Sequence, residues 1–272
     1  MVSQADKAHA FQALHAQTFI IPNPWDPGSA RILEGLGFLA LATTSGGYAN
    51  SRGQLDGEPG RDAVLEHAAL LVRATQLPVS ADLENGFGDT PDVVADTIRR
   101  AAAAGLVGGS IEDYTGRADQ PLYEIPQAQE RIQAAVEAAR GLGFPFTLTA
   151  RAENFFRGKP DLADTIRRLQ AYQDAGADVL FAPWLSSRED LESVLREIDR
   201  PLNVLAGLGG LASLTLEDYR KLGVRRVSVG SLLASVAYGA LIHAGEELKN
   251  QGTFGFRSEL VRAKELRNLL RR

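Results

Sequence analysis

The sequence predicts a (β/α)8 barrel followed by one extra helical segment, and three observations carry that prediction. Eight short apolar, β-branched runs recur along the 272 residues. Helical stretches separate them, and Gly or Pro punctuates the joins. Eight strands alternating with helices over roughly 250 residues is the pattern of this barrel, whereas a doubly wound open sheet has no need of eight regularly spaced strands. A chain that is 44% hydrophobic and 23% charged has ample material for a large core.

In order, the N-terminal stretch through Thr18 is polar and helix-patterned, without the apolar region of a signal peptide. The predicted strands are Thr18–Pro22, Phe38–Thr44, Pro78–Leu83, Leu106–Glu112, Pro145–Ala150, Asp178–Ala182, Pro201–Leu205 and Val224–Gly230. Their near-continuous apolar character is that of parallel strands buried on both faces. Between the third and fourth, Val93, Val94, Ile98 and Ala101 keep helical spacing and Gly105 ends the segment. Leu162, Ile166, Leu169 and Tyr172 repeat the device before Gly176. No linker or low-complexity tract divides the chain, so residues 1–272 read as a single barrel domain, with 231–272 as a C-terminal helical extension. Residues 231–248 are apolar and helical, a break follows at Gly252–Gly255, and 256–272 are basic and amphipathic. That last piece is a closing helix or an arm onto a neighbouring subunit.

Composition excludes several function classes. With 34 acidic and 29 basic side chains the net charge is −5, and no basic stripe offers itself to nucleic acid. The absence of Cys excludes a disulfide framework, a thiolate metal site and a Cys nucleophile or acid. The longest apolar run, Gly37–Ala42, is far short of the ~20 residues of a membrane span. A cytoplasmic location is the expectation.

In such a barrel the C-terminal strand ends face a common site. The third strand ends in Asp82-Leu83-Glu84, followed by Gly86 and Gly88; the fourth ends in Glu112-Asp113, and the fifth in Thr149-Ala150-Arg151 with Glu153 beyond. The loop after the second carries Ser45-Gly46-Gly47-Tyr48 and then Asp56. On an extended segment Asp82 and Glu84 point the same way, and Glu112 joins them from the next strand. Clustered carboxylates repel, so a bound divalent cation is the economical resolution. Oxygen donors without Cys point to Mg2+, with Mn2+ as the alternative. Arg151 offers a planar fork for an anionic group, and Gly46 and Gly47 allow close backbone approach to a developing oxyanion. Alone, each feature has a plain reading as a cap, a turn or a structural ion pair; together, at successive strand ends, they make a site.

These residues resemble the isocitrate lyase/phosphoenolpyruvate mutase superfamily, in particular its phosphonomutase-like branch. The resemblance runs from Pro22-Asn23-Pro24-Trp25-Asp26 to Val227-Ser228-Val229-Gly230. It takes in Ser45-Gly46-Gly47, Asp56, the Asp82-x-Glu84-x-Gly86-x-Gly88 stretch, Glu112-Asp113 and Thr149-Ala150-Arg151. It implies a Mg2+-dependent lyase, decarboxylase or hydrolase that breaks or makes a C–C bond, or less readily a P–C bond, beside a 2-oxo acid through an enolate. Asp56, Asp82, Glu84 and Glu112 would form the metal shell, some through water. Ser45, Gly46 and Gly47 would hold the substrate carboxylate and enolate oxygen, and Arg151 a second anionic group. It also implies a homotetramer built from dimers that exchange a C-terminal helix.

The chain departs from that pattern where the family's lyases carry a catalytic Cys. The corresponding loop, Tyr114 to Leu122, has no Cys, Lys or His, which argues against an isocitrate or methylisocitrate lyase. For the proton donor or base, Tyr48, Tyr114 and Glu153 are the candidates; His9, His15, His67 and His243 all lie outside the strand ends. Two other functions compete. Gly207-Leu208-Gly209-Gly210 and Gly230-Ser231 sit where phosphate-binding isomerase or synthase barrels hold their anion. A barrel that binds a 2-oxo acid without turnover is the other.

Overall fold

The computed structural model describes residues 2–271. Helix α1 (Gln4–Leu14) leads into β1 (Phe19–Ile21), α2 (Pro27–Gly35), β2 (Leu41–Ala42), the short α3 (Ser45–Ser51) and α4 (Arg61–Ala74). Then strand and helix alternate: β3 (Val79–Asp82), α5 (Pro91–Ala103), β4 (Gly108–Glu112), α6 (Ile125–Arg140), β5 (Thr147–Arg151), α7 (Leu162–Asp174), β6 (Val179–Phe181), α8 (Arg188–Glu197), β7 (Leu202–Leu205), α9 (Leu216–Leu222) and β8 (Arg226–Ser228). Two further helices, α10 (Leu232–Gln251) and α11 (Ala263–Leu270), complete the chain. All eight strands pair in parallel in the order β1-β8-β7-β6-β5-β4-β3-β2. Each predicted strand is present and starts one to three residues later than predicted; β4 and β7 end where predicted, and β5 runs one residue further, to Arg151.

The seam between β1 and β2 is closed by few bonds. Ala42 N–H donates to Pro22 O at 3.1 Å. Asn23 does the rest: its Nδ2 donates to Ala42 O (3.1 Å) and Thr43 O (3.0 Å). Its Oδ1 accepts from Val229 N (3.0 Å) and Gly230 N (2.9 Å) on the other side. One buried amide thereby satisfies four backbone groups at the barrel mouth. Asp26, three residues on, caps α2 by accepting from Ser29 N at 2.6 Å.

The apolar core lies between the strands and the helical ring. Val79, Leu148, Ala150, Leu180, Leu202, Val204 and Val227 point outward into it, against Ile98, Ala135, Leu169, Leu191 and others. The inner face differs from the apolar one expected of strands buried on both sides. Ser80, Asp82, Ser110, Glu112, Asn203 and Arg226 line a cavity within the barrel. Strands three, four, five, seven and eight therefore alternate apolar-out and polar-in, because their inner face borders a cavity rather than packed side chains. Below, α1 plugs the barrel: a Cβ on Gly108 would lie 2.9 Å from the Phe11 ring, so only glycine admits it. The final helix α11 packs on α2 of the same chain, Leu269 sitting against Gly35.

Candidate functional site

The cavity has a volume of about 410 Å3 and opens at the C-terminal ends of the strands. Its wall takes in Ser45, Gly46, Asp56, Asp82, Glu84, Glu112 and Arg151, seven of the nine side chains and backbone positions expected there. Arg151 is the hub. Its Nη1 lies 3.0 Å from Asp82 Oδ1, its Nη2 3.2 Å from Glu112 Oε2 and 2.8 Å from Glu153 Oε1, and its Nε donates to Glu153 Oε1 at 3.0 Å. The fork expected to grip a substrate anion is thus engaged by three carboxylates of the protein. Arg157, on the loop after β5, bridges Glu112 Oε1 (3.2 Å) and Glu153 Oε2 (3.4 Å) and lies 3.5 Å over the Tyr114 ring. Burial raises the Glu112 and Glu153 carboxyls above their ordinary values, and the two guanidiniums oppose it.

Asp82 and Glu84 both reach the cavity, but not by sharing one face of an extended strand. β3 ends at Asp82, and Glu84 takes the left-handed region with φ 49°. Asp82 Oδ1 accepts from Glu84 N at 3.2 Å, and Glu84 O accepts from Glu112 N at 2.9 Å. Trp184, with φ 65°, also lines the cavity and meets Phe156 edge-on at 5.7 Å. Non-glycine residues held at positive φ concentrate where surrounding structure sustains a site.

Ser45-Gly46-Gly47 forms the first turn of α3 rather than an open loop. Thr44, in extended conformation, caps it by accepting from Gly47 N at 3.3 Å. Ser45 and Gly46 line the cavity, and the Asp56 carboxylate stands 3.5 Å from where a Gly46 Cβ would be. Gly47 lies outside the cavity wall: its amide serves the cap, and a Cβ there would strike Thr44, Trp25 and Ala234.

Tyr48 is the clearest correction. Its buried hydroxyl donates to Ala63 O at 3.0 Å, and its ring stacks on His67 at 3.8 Å, so it belongs to the α3–α4 packing and not to the cavity. Tyr48→Phe should keep kcat/KM within about threefold while lowering stability by ~1 kcal/mol in urea denaturation. Of the other candidates for a proton donor, Tyr114 lines the cavity. Glu153 is fully buried beneath Arg151 and Arg157.

Asp113 faces away from Glu112, into the helical layer. It accepts from Tyr172 Oη (2.6 Å) and Glu153 N (2.9 Å) and pairs with Arg168 Nη1 (3.0 Å). The acidic pair therefore divides its labour, one carboxylate for the cavity and one to anchor the backbone that carries Glu153. Tyr172→Phe removes a bond to a buried charge and should cost about 1.5–3 kcal/mol, read as a lower denaturation midpoint at unchanged m.

The residues fit a divalent cation in chemistry. Asp56, Asp82, Glu84 and Glu112 line the cavity together with the guanidiniums of Arg151, Arg157 and Arg226, and Glu153 lies buried behind Arg151. Burial, and then the Asp82 and Asp56 charges, push the Glu84 carboxyl up to about 8, the repulsion a cation would relieve. Yet among the described residues no three acids or imidazoles stand close enough to ligate an ion directly, so water would complete any shell.

An acidic, guanidinium-organised cavity at the C-terminal mouth of a (β/α)8 barrel defines the class: barrels that handle small ligands where their strands end. The chain belongs to the phosphoenolpyruvate phosphomutase family, matching it over residues 11–249, within the isocitrate lyase/phosphoenolpyruvate mutase superfamily of lyase-type enzymes. A solved structure from Burkholderia cenocepacia J2315, described as a lyase/mutase, is 55% identical, with a TM-score of 0.96 over 99% of this chain and 97% of that one. An uncharacterised protein of Mycobacterium tuberculosis is 34% identical over 250 residues, 89% of each chain. The oxaloacetate decarboxylase of Pseudomonas putida is 30% identical over 254 residues, 89% of this chain and 83% of that one.

Arg157, Trp184, Asn203 and Arg226 also line the cavity but carry no signal in the sequence. Arg157 sits in an irregular stretch, and Arg226 follows Arg225 directly, with nothing in the sequence to say which of the two turns inward.

Proposed function

We propose that this protein is a Mg2+-dependent enzyme that cleaves or forms a C–C bond of a small 2-oxo or dicarboxylic acid, of lyase, decarboxylase or hydrolase type. The observation that carries the proposal is the convergence of Asp56, Asp82, Glu84, Glu112 and Arg151 on one cavity of about 410 Å3, a volume suited to a small acid. Resemblance to oxaloacetate decarboxylase supports it. Asp56, Asp82, Glu84 and Glu112 would hold the cation, some through water. When bound, Mg2+ supplies Lewis-acid stabilisation of an enolate-like charge. Ser45 and Gly46, at the open first turn of α3, receive the substrate carboxylate through backbone N–H groups. Arg151 orients the carboxylates around it, and Tyr114, stacked under Arg157, holds a proton at the cavity wall. With no Cys in the chain, an oxygen or nitrogen group must move any proton.

The direct test incubates the protein with Mg2+ and oxaloacetate, 2-methylisocitrate or phosphonopyruvate, following pyruvate, and acetate with oxalate, by NMR. Turnover of oxaloacetate is expected, with P–C chemistry behind it. No turnover across the panel would sink the proposal. Binding without turnover is the second reading, favoured by a loop in which Tyr114 pairs with Leu122 and Arg117 with Asp89 instead of presenting an acid. Calorimetric binding with no product would establish it. We also propose a homo-oligomer, since α10 exposes Val236, Leu241 and Ile242. Among the described residues no helix is long and apolar enough to cross a membrane.

A further inference from the structure

Arg226 rises from β8 into the barrel interior and is 5% exposed. Its Nε donates to Asn203 Oδ1 (2.9 Å) and its Nη2 to Thr149 Oγ1 (2.8 Å), both neutral. Its Nη1 is buried without a hydrogen-bond partner, and among the described residues no carboxylate pairs with it. Arg168, buried likewise, and Arg151, partly buried, each hold carboxylates. The neighbour beneath, His15, brings no negative charge: burial, then the Arg226 charge, push it down to about 3, so it is neutral. Burial with nothing to offset it lowers Arg226 itself to about 9. An uncompensated buried guanidinium is costly unless an anion answers it.

The position suits a ligand anion. Arg226 lines the same cavity as Arg151, with Asn203 and Ser228 beside it. Thr149, which it holds, lies two residues below Arg151 on β5, a drop of ~6.6 Å along the strand. Arg151 has its fork filled by Asp82, Glu112 and Glu153, so a second acidic group on the substrate needs another cation.

We infer that Arg226, oriented by Asn203 and Thr149, forms an anion subsite on the cavity floor that takes the distal carboxylate of a diacid, and so sets specificity for dicarboxylic over monocarboxylic 2-oxo acids. The inference rests on the function proposed above. At the upper end the diacid meets Ser45 and Gly46; at the lower end its carboxylate meets the Arg226 guanidinium, which lines the cavity without a carboxylate partner of its own. A guanidinium suits this better than an ammonium, since two of its edges are already committed to side chains that fix its plane.

The test measures, with Mg2+ present, calorimetric affinities for oxalate, which reaches only the upper end, and for malate, an unreactive C4 diacid that spans both. In the wild-type protein both bind. Arg226→Gln weakens malate by about tenfold or more and leaves oxalate within about twofold. Thr149→Val, near-isosteric and leaving the guanidinium in place but unsteadied, weakens malate selectively by a few-fold and serves if Arg226→Gln does not fold. Equal loss for both ligands, or no loss for either, overturns the subsite. Wild-type binding of oxalate but not malate overturns it too while sparing the proposed function. Binding of neither ligand to the wild-type protein overturns the proposed function itself.

Discussion

Replacing Arg151 by methionine should lower the stability at pH 7 by about 3–5 kcal/mol, the range for breaking a buried ion pair from one side. The change strands Glu153, fully buried, and Glu112, 5% exposed, with Arg157 as their remaining partner, and removes one of the contacts that hold Asp82. Its pH dependence is a second signature. Burial already raises both glutamates above their unfolded values, and removing the guanidinium raises them further. A carboxyl with a raised folded pKa contributes stability that is complete below its unfolded value and is lost as pH rises through the folded one. The variant should therefore lose less relative to wild type at pH 5 than at pH 8. Urea denaturation at both pH values checks this. A loss under 1 kcal/mol that does not change with pH would show that Arg151 is not the keystone of the cluster.

Asp82→Ala should weaken Mg2+ binding by at least about 100-fold and lower kcat/KM by a similar factor, since even residues that only orient metal ligands cost 10–100-fold. Asp82 borders the cavity, pairs with Arg151 and accepts from the Glu84 amide, so its loss removes a donor and loosens Glu84 together. Calorimetric titration with Mg2+ measures the first effect without any substrate. Mg2+ affinity within threefold of wild type would remove Asp82 from the proposed metal shell. Stability should fall far less than in Arg151→Met, because Arg151 keeps Glu112 and Glu153.

Much of this was legible along the chain. Strand and helix periodicities and the glycines that stop helices locate all eight strands, since parallel strands packed under helices need apolar outer faces whatever they surround. The acidic strand ends were visible because the barrel topology assigns all of them to one mouth. The limits are equally physical. Asp82 and Glu84 share the cavity through a left-handed residue, not through strand alternation, and no propensity predicts φ 49° at a glutamate. Tyr48 follows Gly47 directly yet belongs to the helical layer, because its ring stacks on His67 and its hydroxyl donates to Ala63 O, both in α4, a contact between helices that no local period specifies.

By itself the sequence determined the fold class, the acidic character of the strand ends and the absence of thiol chemistry. These depend on residue type and period, which are local quantities. Only the tertiary structure decided which charges meet: that Arg151 belongs to Asp82, Glu112 and Glu153, that Asp113 serves the helical layer through Arg168 and Tyr172, and that Arg226 stands without a carboxylate on the cavity floor. Each pairing joins residues distant in sequence across a barrel. The energy of a buried charge is set by its neighbours in space, which no pattern along one chain can specify.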